Sequence, residues 1–374
     1  MTPEKFISGL LNDVGVTVNG DKSHDLIVHD DRAFERVITD GSLGFGEAYM
    51  DGWFDCERLD QLINKVYENK LQTRIDKKDA FFAMIRAHAR SLGSKSRSHE
   101  IGSVHYDTGN ALFRRMLDPY MMYSCGYWLR AQTLEQAQQD KLELTCRKLM
   151  LKPGMRVLDI GCGWGGFARY AAEHYGVEVV GVTVSEEQRS LGEELGAGLP
   201  IELRFQDYRK ISETFDRIVS IGMFEHVGHK FYQEYMDACS RCLKSDGLFL
   251  LHTVGYKEQG EANPWFDRYI MPGVAFPAMS QIMTCAEPHF ELEDFHNWDG
   301  SHYDRTLMAW FDNFDASWSE IKDMYDDRFY RMWKLYLQGC AGAFRCNRMR
   351  VWQLVFSKTD FAGGYRYANQ YSLD

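Results

Sequence analysis

Three glycines at alternating positions begin the case for chemistry. Val157-Leu158-Asp159-Ile160 reads as an apolar strand. It runs into Gly161-Cys162-Gly163-Trp164-Gly165-Gly166 and then into a helical pattern. Glycine permits positive φ and lets backbone approach a ligand closely. An acid two residues before such a turn suits a cationic group. Farther on, Glu225 and His226 follow the strand-like Phe215–Ile221, and His252 closes the strand-like stretch around Leu250-Leu251. A lone histidine at a strand end is usually structural. A glutamate and two histidines at adjacent strand ends can move a proton or hold a small anion.

Gly161, Gly163 and Gly166 also satisfy G-x-G-x-x-G, which keeps a dinucleotide site in view. Asp159 weighs against it, because a carboxylate suits an ammonium better than a pyrophosphate. The spacing Gly-Cys-Gly-Trp-Gly matches instead the turn of S-adenosylmethionine-dependent methyltransferases, with Asp159, Gly161, Cys162, Gly163 and Gly165 as contacts. The acid that most such enzymes place after the second strand is missing. Thr183 and Gln188 offer hydroxyl and amide contacts to a ribose there. After the third strand, Gln206, Asp207 and Tyr208 offer a carboxylate for an adenine amino group and a ring beside the base; Asp207 as a solvated loop acid is the plainer alternative. The stretch Pro119–Trp128, with Tyr123, Ser124 and Cys125, is dense in aromatics and methionine. Such stretches are commonly core. Lying one helix before the turn, it also suits a lid over a sulfonium, since tyrosine faces attract cations.

These residues need a sheet to bring them together. The middle of the chain alternates as a parallel sheet requires. Helix is expected over Thr133–Met150, Phe167–His174 and Ser185–Leu195, the last with Ser185 as N-cap. Strands are expected over Arg156–Ile160, Val177–Val184, Ile201–Phe205, Phe215–Ile221 and Gly247–Thr253. The expected class is α/β: a Rossmann-like, doubly wound sheet that binds ligands off the carboxyl ends of its strands, with a small, mainly helical N-terminal domain. Residues 1–92 form that domain, 93–104 a polar linker, and 105–374 the catalytic domain with a helical C-terminal cover.

Composition narrows the partners. The 374 residues carry a net charge of −11, which argues against nucleic acid. No run of 18 uncharged apolar residues occurs, and no signal peptide is evident, so a cytoplasmic protein is expected. The nine cysteines are scattered. Cys239-x-x-Cys242 lies in a helix-like stretch, Tyr232–Leu243, with no second pair, so no metal is expected. Arg74–Arg97 holds seven basic and two acidic residues, a net of +5. Within it, Phe81, Phe82, Met84, Ile85 and Leu92 share a helical face opposite Arg86 and Arg90. Such a helix suits an anionic membrane surface, or packing on the catalytic domain or a dimer partner.

Six segments in order carry a resemblance across nearly the whole chain: Gly41–Trp53, His105-Tyr106-Asp107, Tyr123-Ser124-Cys125, Gly161–Gly166, Phe224-Glu225-His226-Val227-Gly228 and Cys340-Ala341-Gly342-Ala343-Phe344. The chain resembles the cyclopropane-fatty-acyl-phospholipid synthase family of class I methyltransferases. Mycolic acid cyclopropane synthases share the catalytic motifs but differ at the N-terminus. The resemblance implies transfer of a methylene group from S-adenosylmethionine to the cis double bond of unsaturated phospholipid acyl chains. It implies a peripheral enzyme at the inner face of the membrane, as a homodimer. It implies Tyr123 and Ser124 at the cofactor, and a bound bicarbonate as base, held by Cys125, Glu225, His252, the backbone of Val254, and Tyr303. Cys340 matches a family cysteine once considered catalytic; a packing or near-site role is the other reading. Glu225 or His252 as the base itself stays open. So does a same-fold enzyme making a methyl-branched chain or acting on a small polar acceptor.

Overall fold

The computed structural model describes residues 2–71, 109–256, 263–358, 361, 364 and 365. The basic 77–92 helix, the 93–104 linker and His105-Tyr106-Asp107 lie outside the described residues. The chain divides into two compact units, each discontinuous in sequence.

The first unit comprises Met1–Leu112, Ala262–Pro272 and Leu307–Arg348. Its helices include Pro3–Asn12, Arg32–Met50, Leu59–Glu68 and Asp327–Arg345; β1 (Ile27–Val28) and β2 (Phe54–Asp55) pair antiparallel. The glycine-rich Gly41–Trp53 segment works here as packing. Gly41, at φ 56°, kinks the helix Arg32–Met50. A Cβ on Gly46 would stand 2.1 Å from Trp265. Leu59–Glu68 lies tightly on Asp327–Arg345: a Cβ on Gly342 would stand 2.4 Å from the Asp60 carbonyl. Fully buried Asp60 accepts from Arg58 and Arg345, each at 2.8 Å, and these guanidinium groups hold its carboxyl below the ordinary range despite burial.

The second unit comprises Phe113–Glu261, Gly273–Thr306 and Met349–Asp374. It is built on a seven-stranded sheet: β3 (Arg156–Ile160), β4 (Glu178–Thr183), β5 (Ile201–Phe205), β6 (Phe215–Ile221), β7 (Leu243–Tyr256), β8 (Glu291–Trp298) and β9 (Met349–Ser357), in the order β5-β4-β3-β6-β7-β9-β8. The first five strands in sequence are parallel, as expected. Their side chains alternate between two apolar faces. Leu158, Ile160, Val180, Val182 and Ile218 face one core; Val157, Val179 and Val219 face the other. Burial on both faces is what a parallel sheet requires.

Two helices of the unit start on side-chain caps, that of Ser185 as expected. Thr133 caps Leu134–Lys148, and Ser185 caps Glu186–Leu195. Cys239 and Cys242 are buried in the helix Tyr232–Cys242, among the apolar residues of one core. The sheet extends beyond the expected strands. β9 runs antiparallel to β7, pairing Gln353 with His252, and β8 runs antiparallel to β9 at the edge.

Chain order reverses at β3: β4 lies on one side and β6 on the other. That is the switch point whose crevice binds ligands in open α/β sheets. Asp159 sits near the carboxyl end of β3, and Glu225 follows β6.

One expectation follows for the first unit. Gly342→Ala should force two helices apart and cost about 1–3 kcal/mol, a small-to-large change in a tight contact. Thermal unfolding followed by circular dichroism should show a lower midpoint; an unchanged midpoint would contradict the close approach.

Candidate active site at the switch point

The glycine turn is shaped for a ligand. Gly161, Gly163 and Gly165 have φ of 80°, 55° and 73°. Gly165 is the left-handed N-cap of the helix Gly166–Tyr175. A Cβ on Gly161 would lie 2.5 Å from Met223, whereas nothing lies within 4 Å of that place on Gly163. Gly163 therefore leaves open space against bare backbone. Asp159 is 2% exposed, and among the described residues no hydrogen bond or ion pair reaches its carboxyl. Burial alone pushes that carboxyl up to about 7. A buried acid without a cation is a poor neighbour for a pyrophosphate and a good one for an ammonium.

Along the rim, the Thr183 hydroxyl donates to Gln188 Oε1 at 2.9 Å, so these two form one polar pair at the end of β4. The Gln206 amide donates to the Thr183 carbonyl at 3.0 Å, bringing the end of β5 alongside. Asp207 caps the turn Tyr208–Lys210 and binds Arg209, with its Oδ2 2.5 Å from Nη2. Arg209 holds that carboxyl below its ordinary range. Tyr208 packs edge-on to Tyr235, with ring centres 5.3 Å apart.

The aromatic stretch is mostly core. Met121, Met122, Cys125, Tyr127 and Trp128 are buried. Its first half forms a tight loop. Asp118 accepts from the amides of Tyr120 (2.9 Å) and Met122 (2.8 Å), while Met121 adopts φ 58°. The loop crosses the start of the glycine-turn helix, where a Cβ on Gly166 would stand 2.2 Å from the Tyr120 carbonyl. Half-buried Tyr123 packs on Phe113, which packs on Trp164. Ser124 reaches the other side of the crevice, 3.7 Å from where a Cβ on Gly222 would be.

Glu225 and His252 lie at the carboxyl ends of the neighbouring strands β6 and β7, where the Gly222 amide donates to the His252 carbonyl at 2.9 Å. The Val254 amide donates to Glu225 Oε1 at 2.5 Å. Oε2 is buried and has no hydrogen-bond partner among the described residues. Burial pushes Glu225 up to about 7, against the pull of that amide. His252 is 2% exposed and is held neutral, well below its usual range, by burial and by the nearby Lys141 and Lys148 cations. The Gln353 side-chain amide lies 3.3 Å from both Thr145 Oγ1 and His252 Nδ1. The Thr145 hydroxyl donates to the Lys141 carbonyl, so it accepts from Gln353 Nε2. That fixes Nε2 as the amide atom facing His252, leaving Nδ1 as acceptor and the proton on the ring's Nε2. Burial pushes the Cys125 thiol far up, so it stays protonated. His226 is exposed and does not join the buried set.

Tyr303 is half-buried on the first turn of the helix Ser301–Ile321. Cys340 belongs to the first unit, half-buried on the helix Asp327–Arg345, and burial pushes its thiol up to about 12. That thiol is no nucleophile near neutral pH.

Sequence reasoning passed over Gln138, Lys141, Thr145 and Lys148. All four are fully buried or nearly so on Leu134–Lys148. Their spacing, i, i+3, i+7 and i+10, is that of one helical face. The signal was a helix whose inward face is polar.

Two outcomes follow. The ordinary values of Asp159 and Glu225 are 3.8 and 4.5, and both rise to about 7 in the fold. Between these values the native chain holds more protons than the unfolded one. Their contribution to stability is therefore full below about pH 4 and is lost as pH rises through about 7. Relative to wild type, Glu225→Gln should gain stability from about pH 5 to 8, read as the difference in unfolding midpoint; parallel curves would contradict the buried state of Glu225. Asp159→Asn should weaken S-adenosylmethionine binding about ten- to a hundredfold, the worth of one charged hydrogen bond. Calorimetric titration measures it.

Known proteins match this arrangement. The family described as mycolic acid cyclopropane synthetase matches residues 93–354. The cyclopropane-fatty-acyl-phospholipid synthase of Escherichia coli (strain K12) is 50% identical over 357 residues, covering 95% of this chain and 93% of that protein. Among solved structures, the cyclopropane synthase MmaA2 from Mycobacterium tuberculosis aligns with a TM-score of 0.64 at 32% identity, covering 68% of this chain and 96% of that one. Mycolic acid cyclopropane synthase CmaA1 complexed with SAH and CTAB aligns at 0.63 and 33% identity, covering 68% and 96%. With the glycine turn and the buried Glu225 on opposite sides of one switch point, and these likenesses over most of its length, the chain belongs to the mycolic acid cyclopropane synthetase family.

Proposed function

We propose that the chain transfers a methylene group from S-adenosylmethionine to the cis double bond of an unsaturated phospholipid acyl chain, forming a cyclopropane ring. The observation that carries this reading is Glu225: a buried carboxyl near 7, with one oxygen unpartnered, across the crevice from the cofactor turn. Methylation of an amine or hydroxyl needs no proton removed from the transferred carbon. Ring closure does. The 50% identity to a cyclopropane-fatty-acyl-phospholipid synthase supports the choice of acceptor.

Gly163 and Asp159 suit S-adenosylmethionine, the first by leaving open space against backbone and the second by offering a carboxyl to its ammonium. When bound, the cofactor supplies an electrophilic methyl group on sulfur. The acyl double bond would take up that methyl, with the neutral thioether as the leaving group. The cation left on the chain must lose a proton from the new methyl, and the freed pair closes the ring. Buried surroundings keep water from that cation.

Glu225 and His252 handle the proton. With Glu225 near 7, small changes around it decide whether it accepts or donates. Neutral His252, with its proton on Nε2, is a fixed donor. Bicarbonate also suits this pocket, since a protonated Glu225 Oε2 can donate to an anion. Cys125, Glu225, His252, Tyr303 and the Val254 segment would hold it, and it would supply the base. The Val254 amide already serves Glu225, so its part is to set that carboxyl.

Attachment to the inner face of the membrane and a homodimer belong to the same reading. The acceptor lies in a bilayer, and among the described residues no helix is long and apolar enough to cross one. The dimer rests on the family resemblance.

The test is direct. The chain is incubated with S-adenosylmethionine and vesicles of dioleoyl phosphatidylethanolamine, and the acyl chains are weighed and examined by proton NMR. Each modified chain should gain one CH2 and show cyclopropane ring protons. Vinyl or methyl-branch signals instead would indicate a methyl-branched product and sink ring formation. Glu225→Gln should keep cofactor binding and lose about 10²- to 10⁴-fold in turnover, the usual worth of a proton-transfer group.

A further inference from the structure

The helix Leu134–Lys148 has an unexpected inner face. Gln138 is 1% exposed or less, as are Lys141, Thr145 and Lys148. Core helices normally turn apolar residues inward. Replacing buried charge by an apolar residue of similar size is often neutral or stabilising, so folding alone gives no reason to keep an ammonium there.

The stripe's first three members reach two parts of the site, at Ser124 and at Gln353. Gln138 Nε2 donates to the Ser124 carbonyl at 2.8 Å. Lys141 Nζ donates to Ser124 Oγ at 2.9 Å and to Gln138 Oε1 at 2.5 Å. One turn on, Thr145 Oγ1 accepts from Gln353, whose amide also faces His252 Nδ1, each at 3.3 Å. At the far end, Lys148 pairs with buried Asp294 at 2.9 Å. Gln353 and His252 are cross-strand partners of β9 and β7, so their facing is set by sheet register.

We infer that this stripe is a positioning scaffold: Gln138 and Lys141 set Ser124 in the loop that spans both sides of the crevice, and Thr145, through Gln353, sets the ring and tautomer of His252. One rigid helix thereby keeps the cofactor side and the proton-handling side in register. The inference rests on the methyl-transfer reading and adds residues that act through others. Lys141 keeps its charge near neutral pH: burial brings it down only to about 8, with Asp118 opposing. A charged donor holds the Ser124 hydroxyl more firmly than a neutral one.

The two halves separate in experiment. In the full chain, Lys141→Met should raise the Kd for S-adenosylmethionine about tenfold or more, the loss expected when one charged hydrogen bond no longer sets a contact. Gln353→Met should leave that Kd within about twofold while turnover on dioleoyl phosphatidylethanolamine vesicles falls about tenfold or more. NMR of ¹⁵N-labelled histidine should show His252 with its proton on Nε2 in wild type and a mixture of tautomers in Gln353→Met. A purely structural stripe predicts otherwise: both variants would lose affinity and turnover together, in step with the unfolding midpoint. That result, or wild-type values in both, overturns the inference. If Lys141→Met does not fold, Gln138→Leu takes its place, and an unchanged Kd there overturns the first half. If wild type binds S-adenosylmethionine but modifies no acyl chain, the acceptor reading fails. The Kd and the tautomer still decide the scaffold.

Discussion

Burying a carboxyl without a cation is among the costliest arrangements a fold can hold, and this chain does it twice around one crevice. Asp159 and Glu225 are both nearly inaccessible, and each is pushed to about 7 by loss of water. Among the described residues neither has an arginine or lysine in contact. The contrast with Asp60 is instructive: equally buried, it accepts from two guanidinium groups and stays low. Where the chain wants a structural acid it supplies cations. At the switch point it leaves the acids for something else to satisfy.

The surrounding architecture serves that arrangement. β3 and β6 are neighbours, with Ser220 Oγ donating to the Ile160 carbonyl at 3.1 Å. Gly161 gives up its side chain so that Met223, two residues before Glu225, can lie against it. The antiparallel pair β7–β9 adds Gln353 beneath His252. The Asp118–Ser124 loop bridges the two sides, strained at Met121 and tied down by Asp118, Gln138 and Lys141. Strain of this sort persists only where neighbours over-determine the backbone.

Cysteine chemistry takes a secondary place. The thiols of Cys125 and Cys340 are both shifted upward by burial, and Cys340 lies in the other unit. Cys125 remains a weak donor at the proton-handling end. The groups whose protons move near neutral pH are carboxyls, Asp159 and Glu225.

Local pattern by itself determined the parallel strands, the capped helices and the glycine turn. Their signals are short-range: apolar runs, Thr133 and Ser185 as caps, and glycines where φ must be positive. It also named Asp159, Glu225 and His252, because chemistry-bearing residues at strand ends stand out against apolar neighbours. What only the tertiary structure decided depends on partners far apart in sequence. β8 and β9 join the sheet by antiparallel pairing with late segments, which no local period announces. The polar face of Leu134–Lys148 could be listed from its spacing, but a helix does not say which face it buries. Packing against the loop at Ser124 and the strand at Gln353 turned that face inward, and with it the residues that hold the site in place.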